Sequence, residues 1–204
     1  MVSDILNNIK RELEKLREMD IDKKVDALNQ IRDAIKEVSP FNEPVDIIKW
    51  VKSEKVVANV YNPNVVAPPE MELLELSIKQ DGYTQPIVTF KEDDHYTVVD
   101  GFHRTRVGKE SKEINDRVSD YLPVVVIDKP LKERMASTIR HNRARGTHAI
   151  QPMSKIVEEL YFMGWSDKKI AEQLGMEKDE ILRLKQFTGL GNLFKNREFS
   201  KSWI

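Results

Sequence analysis

The sequence predicts an α+β protein, with a small mixed α/β domain between a helical N-terminal extension and a helical C-terminal domain. Three observations predict it. Apolar residues recur every three or four positions across residues 3–38, ahead of the first proline, Pro40. Residues 56–127 interleave short β-branched runs with helical periods. Residues 131–187 return to helical spacing. The chain has 204 residues, 40% hydrophobic and 33% charged. That is one or two domains at roughly 100–200 residues each, with enough apolar content to fold.

In the first segment, Ile5, Ile9, Leu13, Leu16 and Met19 lie on one helical stripe, and Ile21, Val25, Leu28, Ile31, Ile35 and Val38 on another. The phase slips at Asp20-Ile21-Asp22, which predicts two helices in a hairpin, with Ser3 as the first N-cap. The stripe suits either packing on its own domain or a dimerising coiled coil. Ser39-Pro40 ends the segment. Residues 56–60 read as a strand and 70–79 as a helix with Met71, Leu74 and Ile78 on one face, stopped at Asp81-Gly82. Strands at 86–90 and 96–99 around the turn Glu92-Asp93-Asp94 form a hairpin. A helix over 102–110 and a buried strand over 122–127 follow. Helices are expected over 131–140, 152–163, 167–174 and 177–187, with 142–146 irregular and the tail from 189 unpatterned. Phe194, Phe199 and Trp203 in that tail suit packing back or binding a partner. The divisions fall at 1–40, 41–146 and 147–204.

Composition excludes several functions. There is no cysteine, so disulfides, thiolate metal sites, a cysteine nucleophile and thiol redox chemistry are ruled out. No run of 18 apolar residues suggests a membrane span, and Met1-Val2-Ser3-Asp4 does not open a signal peptide, so the cytoplasm is expected. The net charge of −1 is unevenly spread. Residues 1–40 carry 8 basic and 9 acidic side chains, 41–130 carry 11 and 16, and 131–204 carry 14 and 9. A polyanion contact is therefore expected late in the chain.

Three constellations carry chemistry. Asp100-Gly101-Phe102-His103-Arg104-Thr105-Arg106 follows a strand and opens a helix. Glycine permits the tight turn, the freed amides favour an anion, and arginine's planar fork suits phosphate. The competing reading is a β-α corner with surface basic residues. Arg140-His141-Asn142-Arg143-Ala144-Arg145 is the second, suited to phosphate or to salt bridges with the acidic middle. His141 and His148 lack a third ligand nearby, so zinc is not expected. The third, over 165–187, reads as helix, glycine turn, helix, with Ile170, Ala171, Leu174, Ile181 and Leu184 as shared core. Its second helix starts with Glu177, Asp179 and Glu180, so it suits a docking module as well as a DNA reader.

The ordered series Tyr61-Asn62-Pro63-Asn64, Pro68-Pro69-Glu70-Met71, Gly82-Tyr83-Thr84-Gln85-Pro86, Val99-Asp100-Gly101-Phe102-His103-Arg104 and His141-Asn142-Arg143-Ala144-Arg145, followed by the helix-turn-helix, resembles the ParB-like family of the ParB/sulfiredoxin superfamily. It covers about residues 55–190 and looks most like the branch of IbrB-like coactivators of prophage gene expression. The resemblance implies a nucleotide-binding domain over 41–146 and a helical DNA-binding domain over 147–204. It implies CTP, or ATP or ADP, bound with magnesium by Gly101, Phe102, His103, Arg104, Arg106, Asn142, Arg143 and Arg145, with Asn142 helping the metal. His141 stands where the family's glutamate serves hydrolysis, which puts hydrolysis in doubt. Phe102 stands where sulfiredoxins carry cysteine, which excludes their reaction. Lys168, Lys169, Lys178, Arg183 and Lys185 are the expected DNA contacts. The function implied is transcription regulation or partition-like control of mobile elements by a homodimer. Rival readings are a free-serine-kinase-like phosphotransferase with Glu70 or Asp100 as base, a nuclease, and a non-catalytic adaptor. An IbrB-like identity further implies a phosphoadenosine-phosphosulfate-reductase-like companion protein.

Overall fold

A computed structural model describes residues 1–59, 68–143 and 150–187, excepting the side chains of 141–143 and 150–152. The chain divides into a sheet unit, residues 1–57 with 68–127, and a helical unit comprising the rest.

In the sheet unit, α1 (Val2–Glu14) and α2 (Ile21–Val38) confirm two helices. Ser3 lies inside α1 rather than capping it, because the helix already starts at Val2. The cap that does form is Asp20, whose carboxylate accepts the Lys23 N–H at 3.0 Å and starts α2. Strand β1 (Lys49–Lys52) was not foreseen. The predicted strand from residue 56 contracts to β2 (Val56–Val57) over the described residues. Then come α3 (Pro68–Asp81), β3 (Ile87–Glu92), β4 (His95–Asp100), α4 (Phe102–Glu110), a short unforeseen α5 (Lys112–Arg117) and β5 (Tyr121–Val126). Helix α3 runs two residues longer at each end than its periodicity suggested. Gly82, at φ +78°, turns the chain out of it, and the Arg117 guanidinium donates to the Ile78 and Lys79 carbonyls at 2.7 and 2.8 Å.

The sheet order is β1-β5-β3-β4-β2. The β3–β4 hairpin is antiparallel, as is β1–β5, while β3–β5 and β2–β4 are parallel. Strand β5 lies inside the sheet and is buried through Val125, which accounts for its unbroken apolar run. One face of the core gathers Val51, Val56, Ile87, Val98, Leu122 and Val124. A second cluster, Ile78, Val107 and Ile114, joins α3, α4 and α5, with Met71 and Leu74 against it. Helix α2 protects the β1 edge. Its Asn29 side chain donates to the Trp50 carbonyl at 2.7 Å and accepts the Trp50 N–H at 3.2 Å, replacing a neighbouring strand. Asp22 of α2 also accepts from the Tyr121 hydroxyl and pairs with Lys52, each at 2.8 Å.

The helical unit contains α6 (Leu131–Arg143), α7 (Ile150–Phe162), α8 (Asp167–Leu174) and α9 (Lys178–Phe187). Helix α6 continues through His141, Asn142 and Arg143, so that part of the expected irregular stretch is helical. Residues 144–149, Arg145 and His148 among them, and the aromatic tail lie outside the described residues. The five anticipated core residues are all buried, with Met135, Ile139, Ile156, Leu160 and Trp165. Ser166 caps α8 by accepting the Lys169 N–H at 3.3 Å, and Gly175 ends it at φ +63°.

Candidate functional site at the start of helix α4

Strand β4 ends on a buried aspartate, Asp100, and the chain must reverse at once into α4. Gly101 makes that corner at φ +95°, a conformation that strains any other residue. A Cβ there would also stand 3.3 Å from the Ile87 Cα and 3.0 Å from the Arg104 guanidinium. Glycine brings no side-chain cap, so the first-turn amides of Phe102, His103 and Arg104 are not capped by it. The helix dipole adds positive potential at the same point.

The Arg104 side chain is 14% exposed and folds back beneath this turn. Its guanidinium donates to the Gln85 side-chain oxygen at 3.3 Å, the Pro86 carbonyl at 3.3 Å and Asp100 at 3.4 Å. All three contacts are at the long end of the hydrogen-bond range. Tyr83, two residues before Gln85, donates its hydroxyl to the Arg104 carbonyl at 3.1 Å. The segment 82–86 therefore grips α4 twice, by side chain and by backbone.

His103 is half-buried, with its ring edge-on to Phe102 at 5.5 Å between centroids. Burial lowers its pKa, and the Arg106 and Arg104 charges lower it further. Its folded pKa is below 6.5, so the unfolded chain binds more protons between the two values. The sheet unit is thus expected to lose stability as pH falls below about 6.5. Urea midpoints at pH 7.5 and 5.5 check this: the drop should be smaller in His103→Gln than in the wild type.

The other anticipated residues divide. The Phe102 ring packs against the sheet core and has no polar atom to offer a phosphate. Arg106 is exposed and donates through Nε to both Glu110 oxygens, at 2.9 and 3.0 Å, one turn farther along α4. Asp100 is committed to Arg104, and Glu70 is exposed in the first turn of α3. The side chains of Asn142, Arg143 and Arg145 lie outside the described residues. Among the described residues no three histidine, aspartate or glutamate side chains gather as a metal site. No described helix is long and apolar enough to cross a membrane. The grip of Tyr83, Gln85 and Pro86 on α4 spans 18–21 residues of separation and has no local signal in the sequence.

In the helical unit, Lys168, Lys169, Lys178 and Arg183 are exposed, with the Lys169 ammonium 4.8 Å from the Trp165 ring centroid. Lys185 is not exposed, which corrects its assignment to DNA. Its ammonium is buried, pairs with Asp167 and lies 3.9 Å from the centre of the Tyr161 ring. Arg140 is likewise engaged, donating to the Gln173 side chain at 2.8 Å and to Ser137 at 3.0 Å.

Comparison with known proteins agrees with this architecture. Residues 37–142 match the ParB N-terminal domain, more than half of the chain. The chain belongs to the ParB N-terminal domain family. Residues 148–196 match the IbrB-like C-terminal helix-turn-helix domain, so the ParB-type region is followed by a helix-turn-helix module. The uncharacterized protein YbdM of Escherichia coli K12 is 52% identical over 184 residues, 89% of this chain and 88% of its own. A Pnob8-like ParB-N domain shares the fold at a TM-score of 0.50, with 12% identity over 76% of this chain and 75% of that one. A C-terminally truncated ParB from Caulobacter crescentus, complexed with CTP-gamma-S, is similar at a TM-score of 0.41, with 16% identity over 73% of this chain and 87% of that one.

Proposed function

We propose that this ParB-type protein is a regulatory protein that binds a nucleotide through its phosphates at the start of α4 and contacts DNA through α8 and α9. The single observation that carries the reading is the left-handed Gly101 corner, which presents the first-turn amides of α4 with Arg104 and His103 beside them. A phosphate at the corner offers Arg104 a charge-assisted bond of about 2.7–2.9 Å in place of its long contacts. His103 would protonate as the anion arrives, since a neighbouring negative charge raises an imidazole pKa.

The donors around magnesium would come from the nucleotide's own phosphates and, as the resemblance implies, from Asn142. Asp100 already faces a guanidinium and is poorly placed as a ligand. Bound magnesium would neutralise phosphate charge; Arg104 and the α4 amides would orient the phosphates. Arg143 and Arg145 belong to the proposal through the resemblance. Lys168, Lys169, Lys178 and Arg183 would supply the phosphate contacts to DNA, a salt-sensitive attachment. In this reading the protein acts in the cytoplasm and, as the resemblance implies, as two chains in transcription regulation or partition-like control of mobile elements, with a reductase-like companion. No observation favours phosphotransfer or nuclease chemistry, because Asp100 is held by Arg104 and Glu70 stands exposed on another helix.

Calorimetry with CTP, ATP, ADP and GTP in magnesium is the test. One of them is expected to bind, and Arg104→Ala is expected to weaken that binding at least tenfold while circular dichroism stays unchanged. Equal affinity in wild type and variant would remove Arg104 from the site.

A further inference from the structure

Helix α2 covers the β1 edge, yet none of its side chains is buried. Val25, Leu28 and Ile31 are half-buried, and the bonds that hold the helix are polar. Asn29 brackets both backbone groups of Trp50, Asp22 takes Lys52 and the Tyr121 hydroxyl, and Asp33 pairs with Lys49 at 2.6 Å. Both ion pairs are partly exposed, so salt screens them. A helix held in this way undocks before the sheet beneath it opens. Residues 1–36 also precede the ParB-type region, so α2 is an addition to that fold.

What α2 clamps leads to the phosphate corner. The Trp50 ring stands edge-on to Tyr83 at 6.5 Å between centroids. Tyr83 bonds the Arg104 carbonyl, and Gln85 and Pro86 just after it hold the Arg104 guanidinium. With Asp100 they set three oxygens around that guanidinium at 3.3–3.4 Å, the contacts an arriving phosphate must displace. Whatever stiffens the segment 82–86 therefore strengthens the phosphate's competitor for Arg104.

We propose that α2 is an autoinhibitory strap: docked on β1 through Asn29, it steadies Trp50, Tyr83 and the Gln85–Pro86 grip on Arg104, and so lowers the affinity of the α4 corner for phosphate. The inference rests on the phosphate reading above and adds the regulation of that site. Asn29 touches no phosphate; it is a positioning residue that acts on Arg104 through Trp50 and Tyr83. Linkage makes the effect reciprocal. A phosphate that draws Arg104 away from Gln85 and Pro86 loosens the segment behind Trp50, and that favours release of the strap.

The test is calorimetry of the full chain with CTP, ATP, ADP and GTP in magnesium. Asn29→Ala is expected to bind the selected nucleotide about fivefold more tightly than the wild type. Gln30→Ala, exposed on the same helix, is expected to bind it equally. Damage to the fold weakens binding, so a gain of affinity separates regulation from a merely structural role. Equal or weaker binding in Asn29→Ala would overturn the strap and leave the phosphate reading standing. No binding by the wild type or by the variant would overturn the phosphate reading, and the regulation with it. Hydrogen exchange of the wild type provides a check that does not depend on the substitution. Saturating nucleotide should speed exchange over residues 21–38 and at the Trp50 amide, where a bound ligand ordinarily slows it. Slower or unchanged exchange there would overturn the strap.

Discussion

Gly108→Ala is expected to destabilise the sheet unit by about 2–4 kcal/mol, although alanine is the better helix former. Gly108 lies inside α4, where a Cβ would collide with the Tyr83 hydroxyl and stand 2.5 Å from a Leu122 methyl. Neither neighbour is free to withdraw. Tyr83 bonds the Arg104 carbonyl, packs edge-on to Trp50 at 6.5 Å and touches both core clusters. Burial pushes its phenol pKa up to about 12. Leu122 is fully buried on β5. Propensity favours alanine by about 1 kcal/mol, and the overlap outweighs it. Urea denaturation of the single variants and of Gly108→Ala with Tyr83→Ala checks the mechanism. If the clash with Tyr83 dominates, the double variant loses less than the sum of the two singles. An additive pair would assign the cost to Leu122.

Lys185→Ala carries the second large effect, a loss of about 2–4 kcal/mol in the helical unit. Lys185 links three helices: it rises from α9, pairs with Asp167 at the start of α8 and covers the Tyr161 ring on α7. Truncation leaves a cavity and removes the cation from both partners. Asp167 keeps part of its hydration, being 36% exposed, which moderates the penalty. Lys185→Met fills the volume and should cost less than about 1.5 kcal/mol. Thermal melts of both variants separate these costs. The same pair bears on DNA. The salt dependence of DNA binding should be unchanged in Lys185→Met and shallower in Arg183→Ala, whose side chain is exposed.

These two residues also show where the sequence could be read and where it could not. The β3–β4 hairpin, α3 and the α8–α9 module were legible because their signals are local: alternation around a turn, apolar spacing, and a serine cap with a glycine stop. Strand β1 was not. Lys49-Trp50-Val51-Lys52 is short and half charged, and its partner β5 lies some 70 residues on. The Gly101 corner was legible from a strand, an Asp-Gly pair and a basic helix start. How Arg104 is held was not, because Gln85 and Pro86 grip it from another segment. Lys185 carried the opposite error. A lysine near others reads as a basic face, and only the fold brings Asp167 and Tyr161 around it. Phe102 likewise belongs to the motif by position and to the core by side chain.

The most direct measurement of the central claim is an amide NMR titration of the full chain with magnesium and the nucleotide selected by calorimetry. The account predicts that the amides of Phe102, His103 and Arg104 move first and farthest, with the Arg104 guanidinium signals following, and that Gly101→Ala abolishes those shifts. Saturable binding that leaves these amides in place would contradict it.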